Sequence, residues 1–271
     1  MSKIVVLGAG IAGHTAAAHL RRKLGKEHEV LVVSPNRNYQ WVPSNIWVGI
    51  GRMKSKEVIF PLEPLYKRKG IGYKQAKAVS FHPEGDGSEQ KPYILVEGVF
   101  GDNLGKQEKV TYDYLINATG PKLAFDMTEG LVPETNKVYS VCTYDHAEKA
   151  SEALHKLIDQ LKKSDTKAKI LIGTGHAKAT CQGAAFEYIL NVEKELQKFG
   201  VRDKAEITWI SNEYELGDFG MDGMLMEYNG FNMKSKDMVE MIFEDREIKW
   251  ILGAGVNKIE NGIAHYENLD G

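Results

Sequence analysis

Cysteine is scarce in this sequence: Cys142 and Cys181 are the only two among 271 residues. Two thiols cannot build a disulfide framework, and neither stands in a Cys-x-x-Cys or Cys/His spacing that suggests zinc, so no metal site is expected. Taken alone, a lone cysteine is most simply a small buried hydrophobe. Long apolar runs are missing as well: no stretch reaches eighteen residues, so no transmembrane helix is expected. Nor is there an excess of one charge. Lys and Arg number 35 against 37 Asp and Glu, a net charge of −2. Without a basic field, nucleic acid is not an expected partner. The start shows no basic-then-apolar leader, because Lys3 leads straight into an apolar strand. What is present is ordinary for a globular chain, 42% hydrophobic and 27% charged, enough for one large core or two modest ones.

The first thirty residues are organised. "KIVVLG", Lys3 to Gly8, reads as a strand buried in a parallel sheet. "GAGIAG" follows, then a helix with Ala16, Ala17, Leu20 and Leu24 on one face, ending at Gly25. "HEVLVVS", His28 to Ser34, is a second strand. Gly8, Gly10 and Gly13 thus form a G-x-G-x-x-G turn inside a βαβ unit, which points to a dinucleotide. Gly8 permits the turn, Gly10 lets the backbone approach a pyrophosphate, and Gly13 lets helix pack on strand. Ile11 and Ala12 open the helix whose N–H groups would face the diphosphate. The acid expected at the end of the second strand is missing; Ser34 and Asn36 stand there and can bond ribose hydroxyls.

Between Tyr73 and Leu115 the pattern becomes an antiparallel meander of "GYKQAKAVSF", "YILVEGVF" and "KVTYDYLINATG", the last read as one strand. It ends in Ala118-Thr119-Gly120, a turn that in two-dinucleotide-domain flavoproteins runs beside the flavin, which favours FAD over NAD. A polar connector covers Asp126 to Lys137, "KVYSVC" reads as a strand, and a helix follows from Asp145 to Lys163. A second αβ unit begins at "AKILIG", with a helix from Gly183 to Phe199 and the strand "AEITWIS". "IKWILGAGVNKIE" reads as one strand before a hairpin at Glu260 to Gly262. The final "DG" turn suggests that the chain is the N-terminal part of something longer. The methionines Met224, Met226, Met233, Met238 and Met241 read as flexible packing or a covering loop. The expected fold class is α/β with two Rossmann-like domains. Residues 1–125 form the FAD-binding domain with its meander, 126–167 a connector and helix, and 168–271 an incomplete second domain.

The second unit spoils its own cofactor turn. Counted from Gly173 and Gly175, Lys178 occupies the third glycine's register, where a large side chain obstructs a diphosphate. Cys181 stands just before the helix, whose unpaired N–H groups favour a thiolate.

Several stretches together resemble the sulfide:quinone oxidoreductases. "NYQWVPSNIWVGIG" is similar to the segment after that family's second strand, and "YDYLINATGPKLAF" matches with its Gly-Pro-Lys-Leu-Ala-Phe continuation. "SVCTYDHAEKA" carries a Cys-Thr-x-x-His-Ala pattern, and "TCQGAAFEY" resembles the family's second cysteine segment. The resemblance implies oxidation of sulfide by cysteines beside FAD, with electrons passed to a membrane quinone. It implies that Cys181 is one redox cysteine and Cys142 an assisting one. His146 reads first as a helix-start residue and only second as a base for hydrosulfide. Glu187, on the Cys181 helix, reads equally as a base or proton relay if buried or as an exposed salt-bridge residue. Pro43 and Ala78 join the FAD-binding set, and Trp41 falls where an aromatic residue near the quinone is expected, with packing an equal alternative. Asp218 stands where some members carry a proton-moving histidine. A membrane surface, reached through helices beyond this chain, would make the whole protein peripheral; a homo-oligomer is compatible. Competing readings are a type II NADH dehydrogenase-like protein, a flavocytochrome sulfide dehydrogenase-like protein, and an inactive nucleotide-binding module.

Overall fold

The computed structural model describes residues 1–133, 135 and 137–270. Glu134 and Asn136 of the expected connector, and Gly271 of the terminal "DG" turn, lie outside the described residues. The chain begins with β1 (Lys3–Leu7), α1 (Ile11–Leu24), β2 (Glu29–Ser34) and β3 (Asn38–Gln40). Short helices α2 (Asn45–Gly49) and α3 (Ser55–Val58) precede β4 (Ile59–Pro61) and α4 (Leu62–Lys69). Next come β5 (Gly72–His82), β6 (Tyr93–Gly98), β7 (Gln107–Thr111) and β8 (Tyr114–Asn117). The rest comprises α5 (Tyr144–Lys163), β9 (Ala168–Thr174), α6 (Gln182–Lys198), β10 (Ala205–Ser211), β11 (Leu225–Tyr228) and β12 (Phe231–Lys234). It closes with α7 (Ser235–Asp245), β13 (Ile248–Ile251), β14 (Ala254–Glu260) and β15 (Ile263–Asn268).

By packing, the chain divides into two units, residues 1–41 with 59–123, and 42–58 with 124–271. Residues 42–58 therefore go with the second unit, although by chain position they fall inside the expected 1–125 domain.

The first unit is built on a six-stranded sheet in the order β7-β6-β5-β2-β1-β8. Residues of β1 alternate between two cores, as strand geometry requires. Ile4 and Val6 pack with Ala17, Leu62 and Tyr66 from α1 and α4, while Val5 and Leu7 pack with Ile94, Val96 and Val110 of the meander. Burial on both faces is why β1 and β2 read as unbroken apolar runs. The expected single strand "KVTYDYLINATG" is two. Its first part, β7, pairs antiparallel with β6, and its second, β8, pairs parallel with β1. The break falls at Asp113, which exchanges bonds with Lys3: its carboxylate accepts the Lys3 N–H at 2.6 Å, and its own N–H donates to the Lys3 carbonyl at 2.9 Å.

The second unit holds a parallel sheet in the order β13-β10-β9. Its core joins Leu154 and Ile158 of α5, Ile189 and Leu196 of α6, Trp209 of β10 and Phe243 of α7. The expected strand "IKWILGAGVNKIE" also divides: β13 joins β10, and after Gly253 at φ 60° β14 leaves to form a hairpin with β15. "KVYSVC" forms no strand. The methionine-rich stretch is a hairpin, with Met226 opposite Met233, followed by α7.

Candidate functional site

In the first unit the two flavoprotein signatures meet. Gly8 leaves β1 at φ 93°, held by its N–H donating to the Val33 carbonyl at 2.8 Å. A Cβ there would lie 2.2 Å from the Ala118 carbonyl oxygen, so only glycine lets the β1 turn and the β8 turn touch. Ala118 in return donates its N–H to the Leu7 carbonyl at 2.8 Å. Gly10 differs, since a Cβ on it would meet nothing within 4 Å. Its backbone faces open space at the start of α1, beside exposed Ile11 and Ala12. No side chain caps that helix and no acid occupies its first turn, which leaves the N–H groups available to an anion. Ser34 is buried and its hydroxyl accepts the Asn36 N–H at 3.2 Å; Asn36 is exposed. Thr119 bonds through both N–H and hydroxyl to Asn117, at 3.3 and 2.9 Å, and Gly120 takes φ 70°. Ala78 is half-buried on β5, at a register shift against β6.

The second unit closes the position that Gly10 leaves open. A Cβ on Gly175, the counterpart of Gly10, would come within 2.4 Å of the Val256 side chain. Gly173 is pressed on Ile210, its Cβ position 1.8 Å from a carbonyl oxygen. These glycines serve packing of the unit on itself. The turn is also longer: α1 starts three residues after Gly8, whereas α6 starts nine after Gly173. Lys178 is exposed within that turn, and its N–H donates to the His176 ring at 3.0 Å.

Cys181 is the N-cap residue of α6, at φ −121° and ψ 86°, and its thiol is exposed and free. The simple expectation of a buried packing cysteine therefore does not describe it. Cys142 is likewise free and exposed, just before Thr143, the N-cap of α5. Both thiols thus lie at helix starts. His146, in the first turn of α5, stacks edge-on against Phe125 with ring centroids 5.6 Å apart, and its Nδ1 is buried without a partner. Glu187 is exposed on α6, six residues beyond Cys181 and so on a different side of that helix, which does not bring the two together. Pro43 lies exposed in a turn of the 42–58 segment, and Trp41 just before it is 46% exposed.

Beside Asp218, the structure adds Asn212 and Glu213, which the sequence alone does not single out. Asn212, just past β10, donates from its side-chain amide to the carbonyls of Ala177 and Ala179 at 3.2 and 3.0 Å, and accepts from Gln182 at 2.8 Å. Glu213 and Asp218 both accept the Gly220 N–H, each at 2.8 Å. Burial, and secondly the charge of Asp218, pushes the Glu213 carboxyl above its ordinary range. A Cβ on Gly220 would lie 3.3 Å from the Thr180 carbonyl, so this loop rests beside the residue before Cys181. The only local signal was a cluster of polar residues at a strand end, where a nucleotide fold carries its ligand contacts.

Residues 2–189 match the family of pyridine nucleotide-disulphide oxidoreductases. The sulfide-quinone reductase of Aquifex aeolicus is 30% identical over 268 residues, 99% of this chain and 54% of the relative. The mitochondrial sulfide:quinone oxidoreductase of Dictyostelium discoideum is 27% identical over 213 residues, 78% of this chain and 42% of the relative. The solved sulfide:quinone oxidoreductase of Aquifex aeolicus shares the fold with a TM-score of 0.80 at 30% identity, across 100% of this chain and 55% of that one. The chain spans about half the length of these relatives.

Proposed function

Because the chain belongs to the pyridine nucleotide-disulphide oxidoreductase family, we propose that it is the flavin-binding, thiol-bearing part of an enzyme that oxidises sulfide and reduces a quinone. The open backbone at Gly10 and the uncapped start of α1 fit the diphosphate of FAD. Gly8, Ile11, Ala12 and Gly13 complete that cradle, Ser34 and Asn36 supply hydroxyl partners, and Ala118, Thr119 and Gly120 form the turn for the ring. Pro43 and Ala78 are further members of the set. Bound FAD would supply the two-electron acceptor. Cys181, as the thiolate at the helix start, would join the sulfur of hydrosulfide in an S–S bond, with the two electrons released going to the bound flavin and the hydrosulfide proton to a base. Cys142 would hold sulfur in relay, and His146 would take a proton at its unpartnered Nδ1. Glu187, exposed on another side of α6, is the weakest member of this proton-handling set.

One observation carries this reading: Cys181 is exposed at a helix start, at the end of a turn whose Gly175 is closed by the Val256 side chain where the first unit leaves Gly10 open. That closure, with Lys178, also disfavours NADH as the reductant at this unit. Membrane quinone, a membrane surface and self-association belong to the same proposal for the whole protein. Peripheral attachment is part of that proposal too; among the described residues no helix is long and apolar enough to cross a membrane.

The test is anaerobic reduction. The purified chain loaded with FAD should lose its visible flavin absorbance with sulfide and keep it with NADH, and Cys181→Ser should slow bleaching roughly a hundredfold. Undiminished bleaching in Cys181→Ser removes the mechanism, and bleaching by NADH alone would favour the type II dehydrogenase reading.

A further inference from the structure

We propose that Asn212 is a positioning residue that fixes the Cys181 turn; this rests on the reading of Cys181 as the reacting sulfur. The turn from Gly175 to Cys181 is six residues longer than its counterpart in the first unit, by the difference between nine and three. A longer connection has more conformations to lose, so a defined path needs added bonds. Inside the turn, Ala179 donates to the His176 carbonyl at 2.8 Å and Lys178 to the His176 ring at 3.0 Å. Neither bond reaches Cys181, and the Cys181 side chain makes no capping bond of its own.

Asn212 supplies the bonds that bracket the cysteine. Its Nδ2 donates to the carbonyls of Ala177 and Ala179, and its Oδ1 accepts from Gln182, the first residue of α6. Cys181 lies between these anchors, so one rigid amide sets both the end of the turn and the start of the helix. Gln182 is buried, only 1% exposed, which fixes its end of the bracket. An asparagine after a strand ordinarily bonds its own neighbourhood. Here all three bonds reach residues at least 30 positions away.

The role is distinct from that of Ser211, whose hydroxyl accepts the Glu213 N–H at 3.1 Å. The first unit has the same local arrangement at Ser34 and Asn36. Between those partners the first unit has Pro35 and the second Asn212. A proline side chain can neither donate nor accept, so the amide bracket is confined to the unit that carries the thiol.

The experiment follows Cys181 in the purified chain with Cys142→Ser, by its rate of reaction with a chromogenic aromatic disulfide across a range of pH. With Asn212→Leu, which keeps the size and removes all three bonds, the rate should fall roughly tenfold. The rate and its pH dependence should both approach those of the urea-unfolded chain. Gln182→Met, which removes the bonds to Asn212 and Glu213 and leaves both carbonyl anchors, should lower the rate by less than about threefold. If far-UV circular dichroism shows Asn212→Leu unfolded, Asn212→Asp in high salt replaces it, keeping the Gln182 bond and losing both donations. A folded Asn212 variant with the parent's rate and pH dependence overturns this inference alone. A parent whose Cys181 already reacts like the unfolded chain overturns both the inference and the reading beneath it.

Discussion

Gly13 lies so close to Gly8 that a Cβ atom on Gly13 would stand 2.0 Å from the Gly8 carbonyl oxygen. The helix following the first glycine turn is thus seated directly on the strand before it. Gly13 therefore serves packing, whereas Gly10, with nothing within 4 Å of its Cβ position, is the glycine that the proposed function sets against a diphosphate.

Gly13→Ala should force α1 off β1. Overpacking at a backbone contact costs about 1–3 kcal/mol or more, which lowers Tm by on the order of 5–10 °C. Gly10→Ala should melt within roughly 2 °C of the parent, because its φ is −71° and no atom lies near the added methyl. Its FAD affinity should nevertheless fall about tenfold, since the methyl enters the diphosphate space. Thermal melts and flavin titration of both variants separate the two effects. Undiminished FAD binding by Gly10→Ala would place the diphosphate elsewhere.

His14, one turn into α1, gives the first unit a pH response. Its ring nitrogen Nδ1 lies 3.2 Å from the Tyr66 hydroxyl, among Tyr39 and Phe60. Burial, and secondly the charge of Lys69, pushes its pKa below the ordinary value. The unfolded chain then takes up the proton at higher pH than the folded one. This contribution to stability is present above the ordinary histidine value of about 6.5 and lost as pH falls from there through the folded value. Urea melts at about pH 7.5 and pH 5 should show a smaller loss in His14→Gln than in the parent. Equal losses in the two proteins would mean that His14 does not titrate in this way.

The first βαβ unit was legible because its signals are local: apolar runs on both sides of a spaced glycine turn. The failures share a cause in partners far along the chain. "KVTYDYLINATG" looks continuous, and only the pairing of Asp113 with Lys3, 110 residues earlier, breaks it. Ile248–Ile251 leaves the following strand because β10 recruits it in parallel. The exposure of both cysteines at helix starts agrees with the spacing argument for Cys181, but for Cys142 it depends on "KVYSVC" not forming a strand. Asn212 escaped notice because its role is defined by carbonyls more than 30 residues away.

Residues 42–58 are tied to the second unit by a pair that no window of sequence reveals. Arg52 lies 2.5 Å from Glu195, whose side chain on α6 is 1% exposed, and Tyr188 donates to the Gly49 carbonyl at 3.2 Å. Arg52 is one-third exposed, so its removal should cost about 1–3 kcal/mol, less than breaking a fully buried pair. Lys198, at 3.3 Å, remains as a partial partner for Glu195. Arg52→Met should also speed proteolytic cleavage near Lys54, and adding Glu195→Leu should recover part of the lost stability. Additive losses in that double-mutant cycle would deny the coupling.

Glu213 should weaken the second unit at neutral pH. Burial and Asp218 raise its pKa, and bonds from the Gly220 and Phe219 N–H groups and the Gln182 side chain oppose this without prevailing. A carboxyl whose folded pKa is raised contributes stability that is full below its unfolded value. That contribution disappears as pH rises through the folded value, so the ionised form is a liability at pH 7. Glu213→Gln removes the charge and keeps an oxygen for the Gly220 N–H, which Glu213 now holds at 2.8 Å. The variant should melt roughly 1–3 °C higher than the parent at about pH 7 and at the same temperature near pH 4. Hydrogen exchange should slow at Gly220, whose loop rests beside Thr180. A gain of equal size at both pH values would trace the effect to packing, and a loss at neutral pH would show that the charge is needed to hold the loop.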